Sequence, residues 1–111
     1  MDLVGRILLA ALFLTGAIQK ALAPQVAAGL LTGVGAPGWL VWPALALNLA
    51  LALGLLVPRT VWPAALAAAL YCAVTSLFHF QPQDGWQMSI FVKNWAIAGG
   101  LVAMAAAHKP A

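Results

Sequence analysis

Long apolar runs alternate with short polar stretches along this chain, and the charged residues fall at the edges of the runs. No Asp, Glu, Lys or Arg occurs between Lys20 and Arg59, and none between Arg59 and Asp84. Each run is close to the roughly 20 residues (range about 17–25) that an α-helix needs to cross the hydrocarbon core of a bilayer. Four spans are predicted, at about residues 3–22, 40–57, 62–80 and 88–107. Pro24 stops the first. Residues 24–38 are too few to cross, and Gly29, Gly33, Gly35, Pro37 and Gly38 lower helix propensity there, so a short interfacial helix and a turn are expected. Trp39 and Trp42 enter the second span where an aromatic belt anchors a helix. Pro43 is tolerated in its first turn and Pro58 ends it. Arg59 and Thr60 form a tight turn before the third span, which starts near Trp62 and Pro63. Residues 81–87, which include Pro82, Asp84 and Gly85, are expected as a polar loop, and His108, Lys109 and Pro110 close the fourth span.

The predicted fold is all-α: an antiparallel bundle of four transmembrane helices forming a single transmembrane domain over residues 1–111. Helices associate in lipid through close packing of small residues. Ala is abundant in every span and Gly99-Gly100 lies within the fourth, so tight helix packing is expected there.

Composition makes the solvent explicit. Charged residues are 6% of the chain and hydrophobic ones 65%, against about 25% charged in water-soluble domains. So little polar surface cannot coat a globule in water. Four spans nearly fill the 111 residues and leave no room for a soluble catalytic domain. Ala21-Leu22-Ala23 mimics a signal-peptidase site, but Pro24 follows it, Lys20 interrupts the approach and Asp2 replaces a basic start, so the first span is expected to be retained.

The net charge of +3 comes from scattered basic residues, which excludes the clustered basic face of a nucleic-acid binder. They read instead as topology determinants. Arg6, Arg59 and Lys109 fall on one side, Lys20 and Lys93 on the other, which favours cytoplasmic termini in a bacterial inner membrane. Arg6 and Lys20 can snorkel to opposite interfaces. Cys72 is the only cysteine, so no internal disulfide or CxxC pair forms.

This order of spans collects polar residues at one membrane face: Gln19 and Lys20, His79 and Gln81, Asp84 and Gln87, Lys93 and Asn94. Cys72, Thr75, Ser76 and His79 share a stripe of the third span, Lys93, Ile97, Gly100 and Met104 one of the fourth, and Arg6, Phe13, Ala17 and Lys20 one of the first. Asn48 lies mid-way along the second. The candidate ligand- or partner-binding residues are Lys20, Asn48, His79, Asp84, Lys93 and Asn94. Each has a structural alternative. The lysines can snorkel, His79 can cap the third helix, Asn48 can join helices, and Thr75 and Ser76 can bond back to carbonyls of their own helix. The Trp residues suit interfacial anchors. No metal site is assigned, since His79 and Asp84 supply two ligands only. No catalytic residue is assigned either, because Ser76 and His79 lack an orienting acid on their face.

The order of short motifs resembles the DoxX family of small four-helix membrane proteins. The first element is Gly5-Arg6-Ile7-Leu8-Leu9-Ala10, followed by Phe13, Gly16 and Lys20. The second is Gly54-Leu55-Leu56-Val57-Pro58-Arg59-Thr60. The third is Phe78-His79-Phe80, then Asp84, Gln87-Met88, Phe91-Val92-Lys93-Asn94, Ala96 and Gly99-Gly100-Leu101. The resemblance runs over nearly the whole chain and highlights Arg6, Lys20, His79, Asp84, Lys93 and Asn94. It implies a membrane subunit tied to redox metabolism. Some relatives are subunits of a thiosulfate:quinone oxidoreductase, and others are implicated in complexes handling oxidative stress beside a superoxide dismutase and a sulfurtransferase. Many members carry a Glu in the second span where this chain has Asn48, and Asn carries no proton. The functional expectation is a non-catalytic subunit or scaffold of a redox-related complex, with protein partners, a homo-oligomer among them, and no cofactor of its own. The alternatives are an oxidoreductase subunit in which His79 or Lys93 binds quinone, and a small lipid- or solute-binding bundle, for which no inverted repeat or broken helix is evident.

Overall fold

The computed structural model describes residues 1–110. Among them there is no strand, and the α-helices are α1 (Asp2–Leu22), α2 (Pro24–Gly33), α3 (Val41–Leu56), α4 (Val61–Ser76) and α5 (Gly85–Ala107). Turns of 3-10 helix at Gly38–Leu40, Pro58–Thr60 and Leu77–His79 extend α3 and α4. Four segments among the described residues are long and apolar enough to cross a membrane: Asp2–Leu22, Gly38–Leu56, Pro58–His79 and Gly85–Ala107. Each presents large apolar side chains outward, for example Leu8, Leu53, Leu70 and Val102. In water such exposure would be a liability; in lipid it is the expected outer surface. The all-α architecture of an integral membrane protein follows.

The chain divides into two compact units, Met1–Pro58 and Arg59 onward. In the first, α1 packs against α3, and α2 touches both. Arg6, at the start of α1, reaches Leu56 at the end of α3, while Gly16, late in α1, meets Asn48 half-way along α3, so the two helices run antiparallel. The buried positions of α1 are Arg6, Ala10, Phe13 and Ala17, one stripe at three- and four-residue intervals. The predicted stripe is therefore the packed face. The ten-residue α2 occupies the segment expected to hold a short helix. It ends before Gly35, whose φ of 81° is the left-handed conformation that glycine adopts without strain.

In the second unit α4 packs directly along α5, and the 3-10 turn at Leu77–His79 touches both. The packed surface of α4 is built largely from alanine: Ala64, Ala65, Ala68 and Ala69 are buried with Cys72 and Ser76. On α5 the buried residues are Ala98, Leu101 and Ala105. Small residues let helix backbones approach closely, where dispersion replaces a hydrophobic drive that lipid does not supply. Gly99 and Gly100 take no part in this. Both are exposed, and a Cβ on either would meet nothing within 4 Å. The packed positions are their neighbours Ala98 and Leu101, because one residue turns a helix by 100°.

A correction concerns the start of α5, placed by the sequence at about residue 88. It begins at Gly85, because the Asp84 carboxylate accepts hydrogen bonds from the amides of Trp86 (3.0 Å) and Gln87 (3.3 Å). That cap satisfies donors that a helix start otherwise leaves orphaned, so much of the expected polar loop is helix.

Arg6 also departs from its expected role. It is buried; its Nε donates to Asp2 Oδ2 at 2.9 Å and its Nη1 to the Leu56 carbonyl at 3.3 Å. Leu56 closes α3, so its carbonyl has no partner within that helix, and a cation at a helix C-terminus also suits the dipole. Arg6 thus caps a neighbouring helix rather than snorkelling alone.

Ala65 and Ala68 are fully buried, whereas Ala67 is exposed. Ala65→Leu or Ala68→Leu is expected to destabilise the protein by about 1–3 kcal/mol through overpacking. Ala67→Leu is expected to stay within about 0.5 kcal/mol of wild type. Thermal unfolding in detergent compares the three.

Candidate functional site

Lys20 and Asn48 come together in the first unit. In an α-helix every Cα–Cβ bond tilts toward the N-terminus. A lysine near the C-terminal end of a span therefore starts out pointing into the membrane. Lys20 follows this rule: a Cβ on Gly16, one turn earlier, would lie 3.7 Å from its ammonium nitrogen. The same point lies 2.9 Å from Asn48 Nδ2. Two nitrogens, one cationic and one an amide, converge over the bare backbone of Gly16. Asn48 is 3% exposed and Lys20 is half-buried. Of the two roles open to Lys20, this geometry suits the inward one rather than snorkelling, and the cause is helix polarity. Gly16 is the residue that position-by-position reasoning missed as part of this site. Its signal was a glycine inside an apolar span, which marks close approach when a polar side chain faces it.

The two aspartates are committed elsewhere, Asp2 to Arg6 and Asp84 to the cap of α5. The charge on Lys20 therefore sits beside an amide rather than in an intrachain ion pair.

The other four candidates lie in the second unit, where they have separate surroundings. His79 Nδ1–H donates to Gln87 Oε1 at 2.6 Å, tying the turn after α4 to the first turn of α5. The amide oxygen can only accept, so this contact suits the tautomer with its proton on Nδ1. Gln87, eight residues on across a turn, follows no helical spacing, so periodicity could not pair it with His79. Asp84 is the cap described above. Lys93 is exposed while its neighbour Asn94 is half-buried, so these two adjacent residues face different surroundings. Beyond them Phe91 bridges Phe80 and Trp95, with ring centroids 5.2 and 6.4 Å apart.

The hydroxyls on the α4 stripe are occupied. Thr75 Oγ1 donates to the Tyr71 carbonyl at 2.8 Å, and Ser76 Oγ to the Ala73 carbonyl at 2.6 Å. Ser76 spends its proton on its own helix, so His79 has no seryl proton to accept. Among the described residues no group of three or more His, Cys, Asp or Glu is placed to hold a metal ion.

Two outcomes follow from this geometry. Gly16→Ala is expected to displace the Asn48 amide and lower stability by about 1–2 kcal/mol, the scale of a mild overpacking. The loss should shrink to near zero when Asn48→Ala is present as well, which a double-mutant cycle measures. Asp84→Ala is expected to cost about 1 kcal/mol through the lost cap, and Asp84→Ser to restore most of it; unfolding midpoints in detergent report both.

The family model described as DoxX matches residues 1–81. The matched interval runs from α1 to the turn after α4. It takes in Gly16, Lys20, Asn48 and His79, and stops before Asp84, Lys93 and Asn94. No curated protein and no solved structure matches the chain. The match covers most of the sequence and takes in the first three of the four spans: the chain belongs to the DoxX family.

Proposed function

We propose that this integral membrane protein is a non-catalytic subunit or scaffold of a redox-related membrane complex, and that Lys20 and Asn48 hold its partner. One observation carries the reading: the Lys20 ammonium turns back into the span toward the Asn48 amide over Gly16. A cation buried toward a bilayer centre costs roughly 2.5–3.5 kcal/mol on insertion scales. Both aspartates of this chain are engaged elsewhere, and an acceptor supplied from outside offsets that cost. An acidic or carbonyl-bearing group on a partner's transmembrane segment meets that need. The redox setting rests on family membership and on what the resemblance implies. The engaged states of Ser76 and His79 support a subunit that binds rather than reacts. On this reading the termini are cytoplasmic, the membrane is the bacterial inner membrane, and the face that receives the end of α1 is the binding face.

The converging donors favour one second reading. A quinone carbonyl oxygen accepts from the same ammonium and amide, with Lys20 and Asn48 replacing His79 and Lys93 as its donors.

Native mass spectrometry of protein gently extracted from its host membrane tests both. A stoichiometric protein partner is expected, bound about tenfold more weakly after Lys20→Gln or Asn48→Ala, a change of about 1.4 kcal/mol. A quinone mass lost in the same variants would select the second reading. Undiminished retention of every bound species in both variants would overturn the site.

A further inference from the structure

Lys93 sits on an exposed face of α5 whose surroundings differ from those of the Lys20 site. The first two turns of α5 carry a shallow open groove of about 470 Å³, lined by Gly85, Met88, Ser89, Val92 and Lys93. Its chemistry is divided. Lys93 supplies a cation, while Met88 and Val92 supply apolar walls. The Ser89 hydroxyl donates to the Gly85 carbonyl at 3.0 Å, which spends its proton and leaves an acceptor oxygen. Gly85 leaves one end open, since a Cβ there would meet nothing within 4 Å. Farther into the span the same side of α5 is smooth: Ala96, Gly99 and Gly100 are all exposed.

Helix polarity decides where the ammonium goes. Lys93 lies near the N-terminal end of its span, eight residues after Gly85, or about 12 Å along the axis at about 1.5 Å per residue. Its Cα–Cβ bond tilts toward that end, and its four-carbon stem carries the charge back toward the membrane surface. Trp86, which is 77% exposed and is the second residue of α5, marks the interfacial level at the helix start. The stem thus carries the ammonium from within the span toward the headgroup level that Trp86 marks.

We propose that this groove is a binding site for an anionic phospholipid. The phosphate pairs with Lys93 beside Ser89, and one acyl chain runs past Val92 over Ala96, Gly99 and Gly100. Charge complementarity selects the occupant. An exposed ammonium on an apolar helix face requires an anion, Asp84 is engaged as the cap of α5, and the phosphate of a lipid is the anion present at that depth. The apolar floor that continues inward suits an acyl chain and offers nothing to free phosphate.

The experiment places the full chain in detergent with equimolar phosphatidylglycerol and phosphatidylcholine and counts retained lipids by native mass spectrometry. Wild type is expected to prefer phosphatidylglycerol. Lys93→Gln should lower that preference about fivefold, the scale of one lysine at an anionic surface, and Lys93→Arg should keep it. Gly85→Leu fills the groove without altering charge, and is expected to lower phosphatidylglycerol retention while helicity by circular dichroism stays unchanged. Lys20→Gln, in the other unit, is expected to leave the preference intact, which separates this site from the partner site. Equal retention of the two lipids by wild type would overturn the proposal. So would a preference that survives both Lys93→Gln and Gly85→Leu, and so would inorganic phosphate competing as well as the lipid.

Discussion

Inside a bilayer a backbone carbonyl or a charged side chain has no water to turn to, and the few polar residues of this protein are disposed by that constraint. Arg6 shows it best. One guanidinium neutralises Asp2, fills the packed stripe of α1 and supplies a donor to the last carbonyl of α3. The Gly-Arg motif at the start of the chain is thus a device for closing an antiparallel helix pair, since the donor on one helix needs the end of the other beside it. Asp84 plays the matching part in the second unit, where its carboxylate gathers the first amides of α5. Thr75 and Ser76 satisfy themselves on α4.

The two lysines near span ends are set apart by helix direction. By composition they look equivalent, although Lys20 lies two residues before the end of α1 and Lys93 eight residues after the start of α5. Side chains lean toward the N-terminus of their helix. Lys93 is near an N-terminal end and leans toward the surface; Lys20 is near a C-terminal end and leans toward the interior. The first is free to meet lipid phosphate. The second is held over Gly16 beside Asn48.

This division gives the protein two kinds of chemistry in two places. The first unit holds a donor pair in a low-dielectric setting, within the interval that the family match covers. The second carries an engaged histidine, a capping aspartate and an exposed lysine, most of them beyond that interval. Asn48 in place of an acidic residue keeps the first site uncharged on its α3 side. It can orient an acceptor but cannot carry a proton through the span.

The sequence by itself determined the solvent, the all-α class and the four spans, because hydrophobic run length and the placement of charges at run edges are set by the thickness of the hydrocarbon core. It also placed the packed stripe of α1, since Arg6, Phe13 and Ala17 recur at helical spacing. It misjudged the start of α5, because a cap forms only when a side chain folds back on the amides that follow it. The tertiary structure alone decided three matters. It set Asn48 against Gly16 and Lys20, residues about thirty positions apart that no periodicity relates. It matched Arg6 to the Leu56 carbonyl. It turned Gly99 and Gly100 outward while Ala98 and Leu101 packed. Each depends on the rotation of one helix against its neighbour, which the fit of side chains across the interface fixes and composition leaves open.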